Sequence, residues 1–192
     1  MYKNNIRPEK SFKIRKSIES DKLEIENIHT KAFGETKGPE IAELVKGLFN
    51  DKTATPLFSL VAVEGEKIVG HILYTKVEIK QTTESVSAQI LAPLAILPGF
   101  QKKGIGAQLI NEGLKLLKDS GVELVFVLGH PGYYPRTGFT PAGVLGFKAP
   151  YHIPEEHAGA WMVQGLCSGV IGRIKGAVQC SDGLNQPEHW RE

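Results

Sequence analysis

Cysteine is almost missing from this chain of 192 residues: Cys167 and Cys180 are the only two, too few for a disulfide framework and too far apart for a CxxC unit. That scarcity points to a reducing cytosol and a cytoplasmic protein. Long apolar runs are missing as well. The longest candidate, around 90–100, is interrupted by Pro93, Pro98 and Gly99 and falls short of the ~18 apolar residues needed to cross a bilayer. The stretch from Met1 to Arg15 carries lysines and arginines but lacks the apolar centre of a signal peptide. A soluble protein is expected. Charge of one sign is not in excess either, with 23 Lys and Arg against 21 Asp and Glu. No global field therefore calls for nucleic acid or a membrane as partner. No internal repeat or low-complexity tract appears.

What is present suits one globular domain. The hydrophobic fraction is 41% over a length at which two independent cores would be cramped. We read 1–192 as a single domain, with a core over 12–147 and C-terminal strands and a tail over 148–192. Phe12-Lys13-Ile14-Arg15 alternates apolar and charged, as a strand with one buried face does. Ile25, Ile28, His29, Ala32 and Phe33 then trace a helical stripe, with Ser20 or Asp21 as its cap. Ile41, Leu44, Val45, Leu48 and Phe49 trace a second helix, with Pro39 in its first turn. Phe58–Val63 and Ile68–Ile79 flank the turn Glu64-Gly65-Glu66-Lys67 and read as a hairpin. A strand over Val86–Leu97, a helix over Gly104–Lys118 and a covered strand over Val122–Leu128 follow. Fold class α/β results, an α+β arrangement on a mixed sheet with one parallel pair. Beyond Phe139 only a strand near Ala160–Leu166 is readable, and the polar tail past Ser181 is expected to be loosely ordered.

The chemistry concentrates at a Gly-rich turn between a strand and a helix, Gln101-Lys102-Lys103-Gly104-Ile105-Gly106, followed by Ala107. The first N–H groups of such a helix lack internal partners, and with the positive helix end they favour a phosphate. Two other phosphate loops fit less well. A P-loop would require Lys and a hydroxyl after Gly104, where Ile105 and Gly106 stand, and a GxGxxG fingerprint lacks its third glycine.

Here the sequence resembles the GNAT superfamily of N-acetyltransferases, whose pyrophosphate pattern [QR]xxGx[GA] these residues match. Leu91-Ala92-Pro93-Leu94-Ala95-Ile96-Leu97-Pro98 looks like that family's fourth strand. Tyr133-Tyr134-Pro135-Arg136-Thr137-Gly138-Phe139 is similar to its FYxxxGF signature, and with Gly129-His130-Pro131 it resembles the YhbS-like branch, from whose usual aromatic Thr137 departs. The resemblance covers roughly 12–147. It implies a GNAT-like acyl-CoA N-acyltransferase fold with a splayed central strand pair. It also implies acetyl-CoA as co-substrate, its pantetheine arm along Leu94, Ala95 and Ile96 and its phosphates on Gln101, Lys102, Lys103, Gly104, Ile105, Gly106 and Ala107. Dimers are common in that family, so a homodimer is one expected assembly.

Moving an acetyl group from a thioester to an amine needs a deprotonated amine, a polarised carbonyl and a protonated leaving sulfur. Tyr134 is the candidate acid for the sulfur, against the alternative of a core tyrosine. Backbone N–H groups near 94–96 are candidates to polarise the carbonyl. His130 is the candidate base, with a backbone-bonded turn histidine as the alternative. Glu40, Glu78 and Glu84 are weaker candidates, since such residues usually face solvent. His29, on an apolar stripe, reads as a hydrogen-bonded core residue. No metal is expected: His152-Ile153-Pro154-Glu155-Glu156-His157 matches neither HExxH nor HxxEH, and Pro154 opposes the helix that would align ligands. The acceptor, a small-molecule or protein amine, is not legible. A non-catalytic acyl-CoA-binding module and a nucleotide-binding protein of another fold are the alternatives.

Overall fold

The computed structural model describes residues 12–82 and 84–190; of the stretch Met1–Arg15 weighed as a signal peptide, residues 1–11 lie outside them. Strand β1 (Lys13–Lys16) pairs antiparallel with β2 (Phe58–Glu64), which turns at Gly65 into the long β3 (Lys67–Lys80). Gly65 has φ 63, a left-handed value that suits glycine at this tight turn. Next come β4 (Ala88–Ile96), α2 (Ile105–Asp119) and β5 (Leu124–Leu128). The order along the chain is the expected one.

Between β1 and β2 runs α1 (Lys22–Asn50), broken at Gly34 (φ 78, ψ −177). The two expected helices are its two arms. Gly38, at the start of the second arm, packs so closely on the backbone of Thr30 that a methyl group there would strike its carbonyl. Asp21 precedes the first arm but does not cap it. Its carboxylate accepts instead from the Ile18 N–H (2.9 Å) and from both terminal nitrogens of Arg15 (2.6 and 3.0 Å). That bidentate pair holds the Asp21 carboxyl below its ordinary pKa.

The sheet runs β1-β2-β3-β4-β5-β8-β6, with β6 (Thr140–Pro141) and β8 (Trp161–Gly165) beyond β5. The sequence patterning missed β7 (Phe147–Lys148) and β9 (Gly176–Cys180), the latter pairing with the far half of β3. Both are short and bounded by glycine, so neither shows a readable alternation. Ile105, Leu109, Ile110 and Leu117 of α2 bury against the sheet, where Gly113 admits the ring of Tyr74, whose hydroxyl donates to the Ile110 carbonyl (3.3 Å). A second apolar cluster gathers Phe126, Phe147, Trp161 and Trp190, with Phe126 and Trp161 stacked at 5.2 Å.

The tail past Ser181 corrects the expectation of loose order. The Gly183 N–H donates to Asp51 Oδ2 (2.9 Å) and the Asp182 N–H to Thr53 Oγ1 (2.8 Å). Trp190 is 5% exposed, meets Trp161 edge to face at 5.5 Å, and donates from Nε1 to the Leu184 carbonyl (2.9 Å). A polar composition concealed two apolar anchors, Leu184 and Trp190, whose partners lie far away in sequence. Among the described residues, no helix is long and apolar enough to cross a membrane.

Candidate active site

The central parallel pair opens like a wedge. β4 and β5 stay in register only from Ala88↔Leu124 to Leu91↔Val127. On its other side β4 pairs Leu91 with Tyr74 and Leu94 with Ile72, so Ala92 and Pro93 together stand across from Leu73. This bulge lies where Pro93 has no N–H to donate. Beyond it, β4 continues to Ile96 against β3 alone. The Leu97 N–H bonds the Val69 carbonyl of β3 (2.9 Å). By antiparallel alternation the backbone groups of Ala95 also face β3, while those of Leu94 and Ile96 face the open edge. Consistent with this, the Ile96 carbonyl accepts from Gln101 Nε2 (3.1 Å).

The open edge leads to the start of α2. Lys102 (φ 60) and Gly104 (φ 80) both take left-handed backbone there. Gln108 N–H is the first to bond back within the helix, to the Gly104 carbonyl (3.1 Å), leaving the preceding N–H groups available to an anion. A cavity of about 570 Å³ lies over them. Leu94, Ala95, Ile96, Gln101, Lys102 and Gly104 line it, as do Ile105, Gly106 and Ala107. Lys103 is not part of the lining. Its ammonium donates to the Gly99 carbonyl (2.9 Å) and lies 4.8 Å from the centre of the Phe100 ring. Arg136 supplies a second cation to the cavity, stacked 4.9 Å over the Tyr133 ring. The sequence reading passed over Arg136, although it stands inside the tyrosine motif.

A second cavity, of about 760 Å³, adjoins the first; Phe33, Leu94 and Tyr133 line both. Tyr134 and His130 belong to this second space. The Tyr134 ring lies over Gly129, where a methyl group would collide with it, and meets Tyr133 and Phe139 edge to face at 5.2 and 5.9 Å. Burial raises the Tyr134 phenol above its ordinary pKa, and neighbouring Tyr133 adds to the effect. Tyr133 turns its hydroxyl toward Gly106 in the first turn of α2. His130 is exposed, and its Nδ1 accepts from the Gly132 N–H (3.0 Å). A neutral ring bonded in this way carries its proton on Nε2.

Of the carboxylates considered, only Glu40 lines the cavity. Glu78 sits between Lys76 (3.2 Å) and Lys80 (2.5 Å) at the other end of β3, and Glu84 pairs with Arg173. Glu188, His189 and Trp190 complete the wall. Nothing in the sequence marked them, because no motif or periodicity connects the tail to the wedge. Cys180 is buried and Cys167 exposed, and both lie outside the two cavities. Among the described residues, no group of three or more His, Cys, Asp or Glu side chains could hold a metal ion.

Comparison with known proteins agrees with this geometry. The family model for an acetyltransferase (GNAT) domain matches residues 13–142. The uncharacterized N-acetyltransferase YjhQ of Escherichia coli (strain K12) is 44% identical over 85% of this chain and 88% of its own length. Among solved structures, a GNAT family N-acetyltransferase (YhbS) from Escherichia coli in complex with CoA superposes with a TM-score of 0.82 at 27% identity, covering 93% of this chain and 94% of the other. A GNAT family acetyltransferase from Brucella melitensis in complex with acetyl-CoA gives 0.71 at 27% identity, over 91% and 99%.

Proposed function

The chain belongs to the GNAT acetyltransferase family and is an acyl-CoA-dependent N-acetyltransferase, and on that premise we propose how its two cavities divide the reaction. Acetyl-CoA occupies the smaller one. Its diphosphate rests on the free N–H groups at the start of α2, between Lys102 and Arg136, and its pantetheine arm pairs with the open edge at Leu94 and Ile96. The thioester then reaches the boundary where Phe33, Leu94 and Tyr133 line both spaces, and the amine enters from the larger cavity. The observation that carries this reading is that boundary, two adjoining cavities meeting where β4 and β5 part.

Tyr134 protonates the departing sulfur. Its phenol is kept neutral by burial, so it retains a proton to give. His130 handles the proton of the incoming amine. To accept it at Nδ1 the ring must release the Gly132 N–H. The same reading places the protein in the cytoplasm, supported by its two free cysteines, and treats a homodimer as the assembly that sedimentation should test.

Thiol release with acetyl-CoA and an amine panel, run on wild type, Tyr134→Phe and His130→Gln, tests the assignment. Tyr134→Phe should lower kcat by roughly 10–100-fold with the KM for acetyl-CoA held within about twofold. His130→Gln should lower kcat by roughly tenfold or more, again with the KM for acetyl-CoA held within about twofold, and an unchanged kcat would remove the ring from the reaction. Tight cofactor binding with no thiol release from any amine would reduce the chain to a binding module.

A further inference from the structure

We propose that the acceptor is a small monoamine with an apolar body, and that the C-terminal segment supplies the wall that selects it. The inference rests on the acetyl-transfer reading above and deepens it. The larger cavity lies between the second arm of α1 and the C-terminal segment that carries Leu184 and Trp190. Ile41 and Leu44 come from the first of these, Leu184 and Trp190 from the second, and Leu128 from the end of β5. None of these side chains offers a free donor or acceptor. The indole N–H of Trp190 is already given to the Leu184 carbonyl, so the ring presents only hydrocarbon.

Charge is confined to a few positions, Glu40 and Glu188 against Lys37. Neither glutamate is engaged in an ion pair among the described residues. An ammonium is therefore drawn in, and a carboxylate beside the amine is opposed. Glu40 and Glu188 against Lys37 leave the lining one net negative charge, enough to balance one ammonium, and the further charges of a polyamine would exceed it. A lysine within a peptide would bring backbone polar groups against the same surface. A volume of about 760 Å³ is in the range of pockets that enclose small organic ligands. Transfer forms the nitrogen–acetyl bond and breaks the carbon–sulfur bond. Of the two ammonium protons lost, one is balanced by the thiol formed and one goes to solvent.

The segment is held in place rather than draped. Its Gly183 and Asp182 amides are tied to Asp51 and Thr53, and Trp190 is fixed against Trp161. The wall is thus preformed.

The test compares n-hexylamine and 2-phenylethylamine with spermidine, phenylalanine and a lysine-containing peptide by thiol release, with acetyl-CoA binding measured in parallel by calorimetry. The two monoamines should lead in kcat/KM by about tenfold or more. Glu40→Gln combined with Glu188→Gln should raise the monoamine KM at least roughly threefold, leaving the KM for acetyl-CoA unchanged. Leu44→Glu, checked for folding by thermal melting, should move the preference toward spermidine. Preference of the wild type for spermidine, phenylalanine or the peptide overturns the inference, as does acetyl-CoA binding without turnover of either monoamine; in each case the cofactor site stands. Failure to bind acetyl-CoA overturns the acetyl-transfer reading itself.

Discussion

His29 Nε2 lies 2.8 Å from His71 Nδ1, ring edge against ring face, with both residues wholly buried between α1 and the sheet. The array continues from His71 Nε2 to Ser59 Oγ (2.9 Å), which accepts from Ser17 Oγ (2.6 Å). Such a pair tolerates at most one added proton at high cost. Burial lowers the His29 pKa to about 4, and lowers that of His71 well below its ordinary value, with His29 adding to the effect. Because both folded values lie below the unfolded one, near 6.5, the unfolded chain takes up protons first as the pH drops.

The contribution of this pair to stability should therefore be flat above about pH 7 and should fall between pH 6.5 and 4, with His29 alone accounting for about 2 kcal/mol between pH 7 and 5. Urea unfolding midpoints across that range check it. Equal midpoints at pH 7 and pH 5 would contradict the buried neutral pair.

The phenol of Tyr134 should set no alkaline limit on turnover in the accessible range. Its pKa is raised above the ordinary value near 10, so kcat should not decline between pH 8 and about 10. A steep loss with a midpoint below 10, present in wild type and missing in Tyr134→Phe, would show a phenol that ionises too easily for the assigned role.

Gly106→Ala should separate folding from binding. Alanine is the better helix former, by up to ~1 kcal/mol, yet its methyl group would run into the Tyr133 hydroxyl at the mouth of α2. We expect a melting temperature equal to or above wild type, with acetyl-CoA affinity reduced by roughly tenfold or more. Calorimetry with acetyl-CoA decides this, and an unchanged Kd would count against the cradle.

The elements around the wedge were legible because each leaves a local mark. Alternation reveals β1, a 3.6-residue stripe reveals α2, and the glycines at 104 and 106 state that something must approach the backbone. The buried His29 was legible for the same reason, since it sits on an apolar stripe. Its partner His71, 42 residues away, was not. The unread features depend on contacts distant in sequence: β9 against β3, Arg136 over the cavity at the start of α2, and Trp190 against Trp161. Composition misled at the tail, where mostly polar residues surround two anchors whose burial decides the outcome.

Asp51 accepts from Thr53 and from Gly183 and thereby joins the end of α1 to the C-terminal segment. Asp51→Ala removes a cap and a charged acceptor together, at a cost of about 1–2 kcal/mol. It should also raise the KM for the amine while leaving that for acetyl-CoA unchanged. Limited proteolysis should then cut first near 181–190, and an unaltered cleavage pattern would argue against the clamp.

That clamp ties the wall of the larger cavity to α1 and leaves it independent of the Gly-rich turn at 101–107. On the proposed division of the site, changes among the twelve residues after Cys180 would alter the choice of amine and leave the turn at 101–107 as it is.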